Sequence, residues 1–184
     1  MEEILDSKRV YDGKMVQVDA VNVALSDGST SEREVVRRTP GVCIVMLRQR
    51  GDEVPQGVEV MLIQQFRVPA EKELLEIVAG MIDEGETPLE SAKRELREET
   101  GYEADEWAEL GTFYASPGYT DEQLTLFLAR DGRYVGDDPD DTEDLHIRTI
   151  PFTLALEEVR KGKIQDLKTV AGLLWAAAYL ENEM

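Results

Sequence analysis

The chain of 184 residues carries one cysteine and one histidine. A lone cysteine excludes an internal disulfide, and Cys43, inside the apolar run GVCIVML with no basic residue beside it, reads as a buried structural thiol rather than a nucleophile. A lone histidine excludes any chemistry that needs two, and His146 within LHIRTIPF reads as a strand residue. Positive charge is also scarce. With 39 acidic against 20 basic residues the net charge is −19, which argues against non-specific nucleic-acid binding and against anionic membranes, since both need a basic footprint. No apolar run approaches the roughly 20 residues that cross a bilayer. The start, MEEILDSKRV, is polar and has no leader-like pattern, so a soluble, cytoplasmic protein is expected. Internal repeats and low-complexity linkers are absent as well.

What is present is a concentration of acid. Gly80 to Tyr102 reads GMIDEGETPLESAKRELREETGY. Thr87 can cap a helix with its hydroxyl, Pro88 suits the first helical position, and Gly101 can take the left-handed conformation that stops it, so the pattern predicts a helix over 88–100. At about 100° per residue, Leu89, Ala92 and Leu96 share an apolar stripe, with Glu95 and Glu99 one turn apart beside it and Glu98 three residues from Glu95. Two carboxylates about 5 Å apart repel by about 3 kcal/mol at an effective dielectric near 20. Arg94 reaches Glu98 at i+4, but one guanidinium is not expected to neutralise three acids. Hard oxygen ligands in this number suit Mg²⁺ or Mn²⁺. A solvated acidic helix face is the bland alternative; the glutamates' place beside the apolar stripe weighs against it.

The spacing Gly80, five residues, Glu86, seven residues, Arg94-Glu95-Leu96, one residue, Glu98-Glu99, one residue, Gly101-Tyr102 resembles the Nudix box. Tyr102 departs from the aliphatic residue usual there, at a position that packs rather than reacts.

Around the box the pattern predicts mostly strands. MVQVDAVNVAL breaks its alternation between Val18 and Val21, which suggests a bulge or bend; SDGST is a turn, and EREVVRR returns as a partner strand. Its Arg33, Arg37 and Arg38 fit a charged strand edge and a phosphate contact equally well, Arg37 being the candidate. GVCIVML, VEVMLIQQFR, WAELGTFYAS, LTLFLA and LHIRTIPF read as strands, SPGYTDE as a turn, and Asp131 to Asp144 as one acidic loop without the spacing of a calcium-binding loop. A short helix is predicted over 154–160. A second, over 167–180, repeats Leu167, Val170, Ala171, Leu174 and Ala178 as core or subunit contact.

QQFR, LLEIVAG, Pro117 in SPGYTDE and IQDLKTVAGLLWAA are similar to the ADP-ribose pyrophosphatase branch of the Nudix hydrolases. The resemblance implies an α/β fold, a Nudix-type α/β/α sandwich with a mixed sheet over 41–184, preceded by an antiparallel strand region over 1–40 used in dimerisation, the whole being a single structural unit. It implies metal ligation, Mg²⁺ or Mn²⁺, by the Ala79 carbonyl, Glu95, Glu98 and Glu99, with Glu86 and Arg94 in support. Substrate contacts fall to Arg67, Arg37 and Gly118. The water-activating acid is Glu143 in DDTED as first choice, Glu122 as second and Asp141 as third. The implied reaction converts ADP-ribose and water into AMP and ribose 5-phosphate in a homodimer. A broader nucleoside diphosphate sugar hydrolase acting on GDP-mannose or ADP-glucose is the nearest alternative, and a non-catalytic nucleotide-sugar sensor the remote one.

Overall fold

The computed structural model describes residues 1–49, 57–136 and 145–183. Its contacts divide the chain into two compact units, Met1–Pro40 with Phe113–Leu124, and Gly41–Thr112 with Thr125–Met184.

The first unit is built on an antiparallel sheet of β1 (Glu3–Asp12), β2 (Gln17–Ala24) and β3 (Thr30–Arg37), in that order. The polar opening of the chain, to which the pattern assigned no element, is therefore a strand, exposed along its whole length. The expected bulge in β2 is not there. β2 pairs with β3 without interruption, and the irregularities lie on β1, between Ile4 and Asp6 and between Arg9 and Tyr11. Alternation holds once Asp19 is counted as an inward position with Val21 and Val23, all three being buried. A buried carboxylate is tolerated only with partners, and Asp19 has two, accepting from Arg9 Nε and, at 2.9 Å, from Arg37 Nε. The segment Phe113–Leu124 joins β3 through Val36, whose N–H donates to the Tyr119 carbonyl at 2.8 Å while its own carbonyl accepts from Asp121 N at 3.3 Å.

The second unit centres on β4 (Gly41–Gln49), which is buried at every residue from Gly41 to Leu47. Such a continuous run needs cover on both faces. Beside it lie β5 (Val58–Arg67), β6 (Lys72–Glu76), β7 (Val78–Met81), β8 (Tyr102–Tyr114), β9 (Gln123–Tyr134) and β10 (His146–Pro151), ordered β10-β5-β4-β9-β8 with β6 on β5 and β7 on β4. Two helices supply the cover. Val42, Ile44 and Met46 share a core with Ala92 and Leu96 of α1 (Pro88–Thr100). Val45, of opposite parity, faces Gly172 of α3 (Leu167–Glu183). Odd and even residues of one strand thus meet different helices, which is the sandwich. A third helix, α2 (Phe152–Arg160), packs on β5, β10 and α3.

The acidic loop expected from Asp131 begins later, because β9 continues to Tyr134 through Asp131 at φ 56°. The larger correction concerns α3. Of the residues expected as core or subunit contact, Leu167, Ala171, Leu174 and Ala178 are exposed, Leu167 at 71% and Leu174 at 46%, and Val170 is half-buried, so they are not the core of this chain; its buried stripe is Thr169, Gly172, Leu173 and Ala176. A side chain at Gly172 would stand 2.9 Å from Ile77 and 3.1 Å from Val45, so the small residues are the ones that let the helix settle on the sheet. In α1 the expected stripe holds at Ala92 and Leu96 but not at Leu89, which is exposed.

Candidate active site

α1 begins as its sequence dictates. Thr87 accepts from Glu90 N at 3.3 Å while the Glu90 carboxylate accepts from Thr87 N at 2.8 Å, a reciprocal cap, and Gly101 ends the helix at φ 71°. The loop before it is tied to the helix by Glu86, which accepts from Ser91 Oγ at 2.6 Å and from both Nε and Nη2 of Arg94. Arg94 Nη1 donates to Glu95 at 2.8 Å and Glu98 at 3.0 Å, and Nη2 also reaches the Met81 carbonyl at 3.0 Å. One guanidinium therefore contacts four carboxylates, Asp83 being the fourth at 3.5 Å, and Glu86 rather than Glu99 joins Glu95 and Glu98 on it. The bonds from Arg94 and Ser91 hold the Glu86 carboxyl down from 4.5 to about 2, and the same carboxylates push Arg94 well above the ordinary arginine range.

The donors suit a hard divalent cation. A Cβ on Gly80 would lie 1.9 Å from Glu95 Cδ, so the Glu95 carboxylate rests against bare backbone one residue from the Ala79 carbonyl. Only glycine leaves that space. β7 is fixed there by its pairing with β4, Cys43 opposite Ala79 and Val42 opposite Gly80. Glu98 and Glu99 lie on the same arc of α1 as Glu95. As placed, Glu95 and Glu98 turn to Arg94, and no three acidic side chains among the described residues converge as an ion-binding group.

Arg67, at the end of β5, is anchored to Glu76 at the end of β6 by two parallel bonds of 2.8 Å, from Nε to Oε1 and from Nη2 to Oε2. Register puts the two on one face of the β5–β6 ladder but at its opposite ends, Arg67 opposite Lys72 and Glu76 opposite Ile63, so it is the long arginine side chain, running back along the ladder, that reaches the carboxylate. Glu76 lifts the Arg67 pKa most, and the charges of Asp166 and Glu99 add to it. The substrate-contact candidate on β5 therefore lies within the field of the carboxylate helix.

A NUDIX domain profile matches residues 37–171. The chain belongs to the Nudix family of pyrophosphohydrolases. Among its relatives, it is 31% identical over 182 residues to an ADP-ribose pyrophosphatase of Bacillus subtilis, covering 98% of this chain and 92% of that one. It is 33% identical over 171 residues to a methanol dehydrogenase activator of Bacillus methanolicus, covering 92% and 89%. With a GDP-mannose pyrophosphatase of Yersinia enterocolitica it shares 34% over 164 residues, covering 83% and 82%. A crystal structure of an ADP compounds hydrolase superposes with a TM-score of 0.83 at 23% identity, over 99% of this chain and 95% of that one, which establishes the α/β fold. Nudix enzymes generally work with divalent cations.

In this Nudix chain the remaining candidates lie in the first unit or outside the described residues. Arg37 spans Asp19 and, at 3.1 Å, Asp121; Arg38 donates to Glu122 Oε1 at 3.2 Å through Nε and to the Met15 carbonyl at 2.8 Å. Burial pushes the Asp121 carboxyl up, but bonds from Arg38 N and Arg37 outweigh it and hold it below its ordinary value. Gly118 sits exposed in a turn where an added Cβ would touch nothing, so the backbone does not require glycine there. Glu143 and Asp141 lie outside the described residues. Tyr102, the departure from the box, donates nothing to the carboxylates; its hydroxyl accepts from Arg48 Nη1 at 3.1 Å and its ring meets Tyr134 edge-on at 5.4 Å. A cavity of about 350 Å³ opens on the flank of α1 among Lys93, Arg97, Trp107 and Arg133. There Glu103 already answers Arg133 at 2.9 Å and Arg97 at 3.9 Å, so it is a surface laced by ion pairs. The residues that sequence reasoning missed are Glu76, Lys168 and the Asp19–Asp121 pair. Glu76 stood in view as the only charge within LLEIVAG, an acid in an apolar run with no partner nearby in sequence.

Proposed function

We propose that this Nudix chain hydrolyses the diphosphate of ADP-ribose to AMP and ribose 5-phosphate, with Mg²⁺ or Mn²⁺ as the cation. The observation that carries the reading is the Glu95 carboxylate seated on Gly80 beside the Ala79 carbonyl, with Glu98 and Glu99 on the same helical arc. The ADP-ribose pyrophosphatase relative, aligned over almost the whole of both chains, supports the substrate. Ala79, Glu95, Glu98 and Glu99 would hold the cation, which when bound neutralises phosphate charge and makes a bound water more acidic. Glu86 and Arg94 keep those carboxylates oriented. Arg67 would take a phosphate oxygen, and Arg37 with Gly118 would contact the remainder of the substrate. A water oxygen forms the new bond to phosphorus, the bridging P–O bond breaks towards the departing phosphate, and the proton passes to Glu143, with Glu122 as the second candidate.

Chromatographic resolution of products from ADP-ribose, ADP-glucose, GDP-mannose, a diadenosine polyphosphate and an oxidised nucleoside triphosphate tests the substrate. ADP-ribose should be cleaved fastest. The GDP-mannose pyrophosphatase relative favours the broader alternative, which equal rates on the sugar nucleotides would establish. Glu99→Gln should abolish Mg²⁺-dependent turnover with the fold retained, and a variant of near wild-type rate removes the metal assignment. A homodimer in the cytoplasm completes the reading. β1 is an exposed edge strand that presents Ile4, Leu5, Val10 and Tyr11 among its charged residues, and a second copy pairing with it would cover them. A monomeric mass at micromolar concentration would contradict it.

A further inference from the structure

The segment IQDLKTVAGLLWAA is the one motif that the proposed chemistry leaves without a task, and its first turn is wired to the site. Asp166 accepts from Thr169 N at 3.0 Å and from the Thr169 hydroxyl, which caps α3. The same hydroxyl oxygen accepts from Ile77 N at 2.9 Å, so the start of α3 grips the segment that leads to Ala79. Between these two residues Lys168 Nζ contacts Asp166 at 2.9 Å and the Glu76 carboxylate. Glu76 has 3% of its side chain exposed, so its charge is answered by Lys168 and Arg67 rather than by water, and Lys168, at 17%, is mostly withdrawn from solvent. Burial pushes the Glu76 carboxyl up, and bonds from Arg67 and Lys168 outweigh it and keep the group ionised. Glu76 is thus a buried carboxylate shared by two cations, one on α3 and one at the tip of β5.

The geometry gives Lys168 work that α3 itself does not need. Two cations, Arg67 and Lys168, balance two carboxylates, Glu76 and Asp166. Without Lys168 the group carries one uncompensated negative charge, directly behind Arg67. Arg67 has Nε and Nη2 committed to Glu76, while Nη1 has no hydrogen bond among the described residues and is the edge left for a ligand. An extra negative charge behind it weakens its pull on an anion and lets Glu76 draw it back. In a protein of net charge −19 there is little positive field elsewhere to make up the difference.

We propose that Lys168 is a positioning residue for the reaction, acting through Glu76 to hold Arg67 and to cancel the charge behind it, so that a phosphate of the substrate is bound. The proposal rests on the reading that Arg67 meets the substrate, and it concerns affinity rather than the bond-breaking step.

The test compares wild type, Lys168→Met, Lys168→Arg, Arg67→Met and the double variant Arg67→Met/Lys168→Met. It reads kcat, KM, Mg²⁺ activation and melting temperature with ADP-ribose, together with ADP-ribose affinity by calorimetry in EDTA, which needs no turnover. Lys168→Met should raise KM and weaken ADP-ribose binding about tenfold, the equivalent of about 1.4 kcal/mol. Its kcat should stay within about twofold and its Mg²⁺ activation curve unchanged, since uniform binding is what is lost. Lys168→Arg should restore KM, and the double variant should bind no more weakly than Arg67→Met, because the two residues act as a unit. Unchanged KM in Lys168→Met, a fall in kcat and melting temperature without a change in KM, or additive losses in the double variant would each overturn the proposal. Wild type that binds ADP-ribose without cleaving it defeats the substrate assignment alone, and the affinity comparison still decides on Lys168. Wild type that neither binds nor cleaves it overturns both.

Discussion

α1 and α3 cover opposite faces of β4, yet one helix declares its inner face in its sequence and the other does not. In α1 the charged residues occupy so much of the circumference that Ala92 and Leu96 have one place to go, and both are fully buried. α3 is apolar nearly all round from Val170 to Leu180, so its periodicity fits more than one face. Close approach decides between them. Gly172, Thr169 and Ala176 let the helix lie against Ile77 and Val45, and the larger Leu167, Leu174 and Trp175 are left outside. A polar face specifies orientation; without one, side-chain size does.

The contrast can be broken at several points. The largest effect is expected where α1 meets backbone. Gly80→Ala would put a methyl inside the Glu95 carboxylate and displace it by about 1 Å or more, and a misplacement of that size costs about 100-fold in kcat. Circular dichroism and melting should stay close to wild type, and a variant with full kcat would show that Glu95 is not needed where it stands. Next come the two inner faces. Leu96→Ala and Leu173→Ala remove side chains that are both 0% exposed, and each should cost about 2–5 kcal/mol in urea unfolding. A much smaller value for Leu173 would return α3 to the face first expected from its leucine spacing.

Acid should separate the helices in a different way. The folded Glu86 carboxyl lies at about 2 against 4.5 unfolded, so its contribution is fully present above about 4.5 and is lost as the pH falls towards 2. Asp19, lowered by Arg9 and then Arg37, adds to the same window. Melting temperature should fall through that range in wild type and less steeply in Arg94→Leu, whose Glu86 titrates closer to its ordinary value. Parallel slopes would mean that the box ion pairs contribute nothing to folding. The smallest effect is expected on the outer face of α3, where Leu174→Ser and Ala178→Ser should change stability by no more than about 0.5 kcal/mol. A larger loss that depends on protein concentration would mark this face as a subunit contact.

How much was legible follows the range over which each signal acts. The helix from Pro88 to Thr100, its cap and its stop were readable because capping, the proline start and the left-handed glycine are contacts within a few residues. So was the buried β4, whose apolar run admits no solvent face. One reading failed because its resolving partners are distant in sequence. The parity break in β2 disappears once Asp19 is placed inside, and Asp19 is acceptable inside only because Arg9 and Arg37 come from the strands on either side. Arg94 is also shared with Glu86, which the loop folds back on it from eight residues away, a contact that helical spacing alone does not show. Glu76 was a bare anomaly until β5 and α3 delivered Arg67 and Lys168 to it.

Local chemistry was enough to say which residues bear charge and how the acids of α1 are spaced, because spacing along a helix is fixed by the backbone's own geometry, and that spacing is what resembles the Nudix box. Which face of α3 lies inside, the seat of Glu95 against Gly80, and the meeting of Lys168 and Arg67 on Glu76 were settled by packing. Those outcomes depend on how closely two elements can approach, and on charges brought together by folding from 92 residues apart.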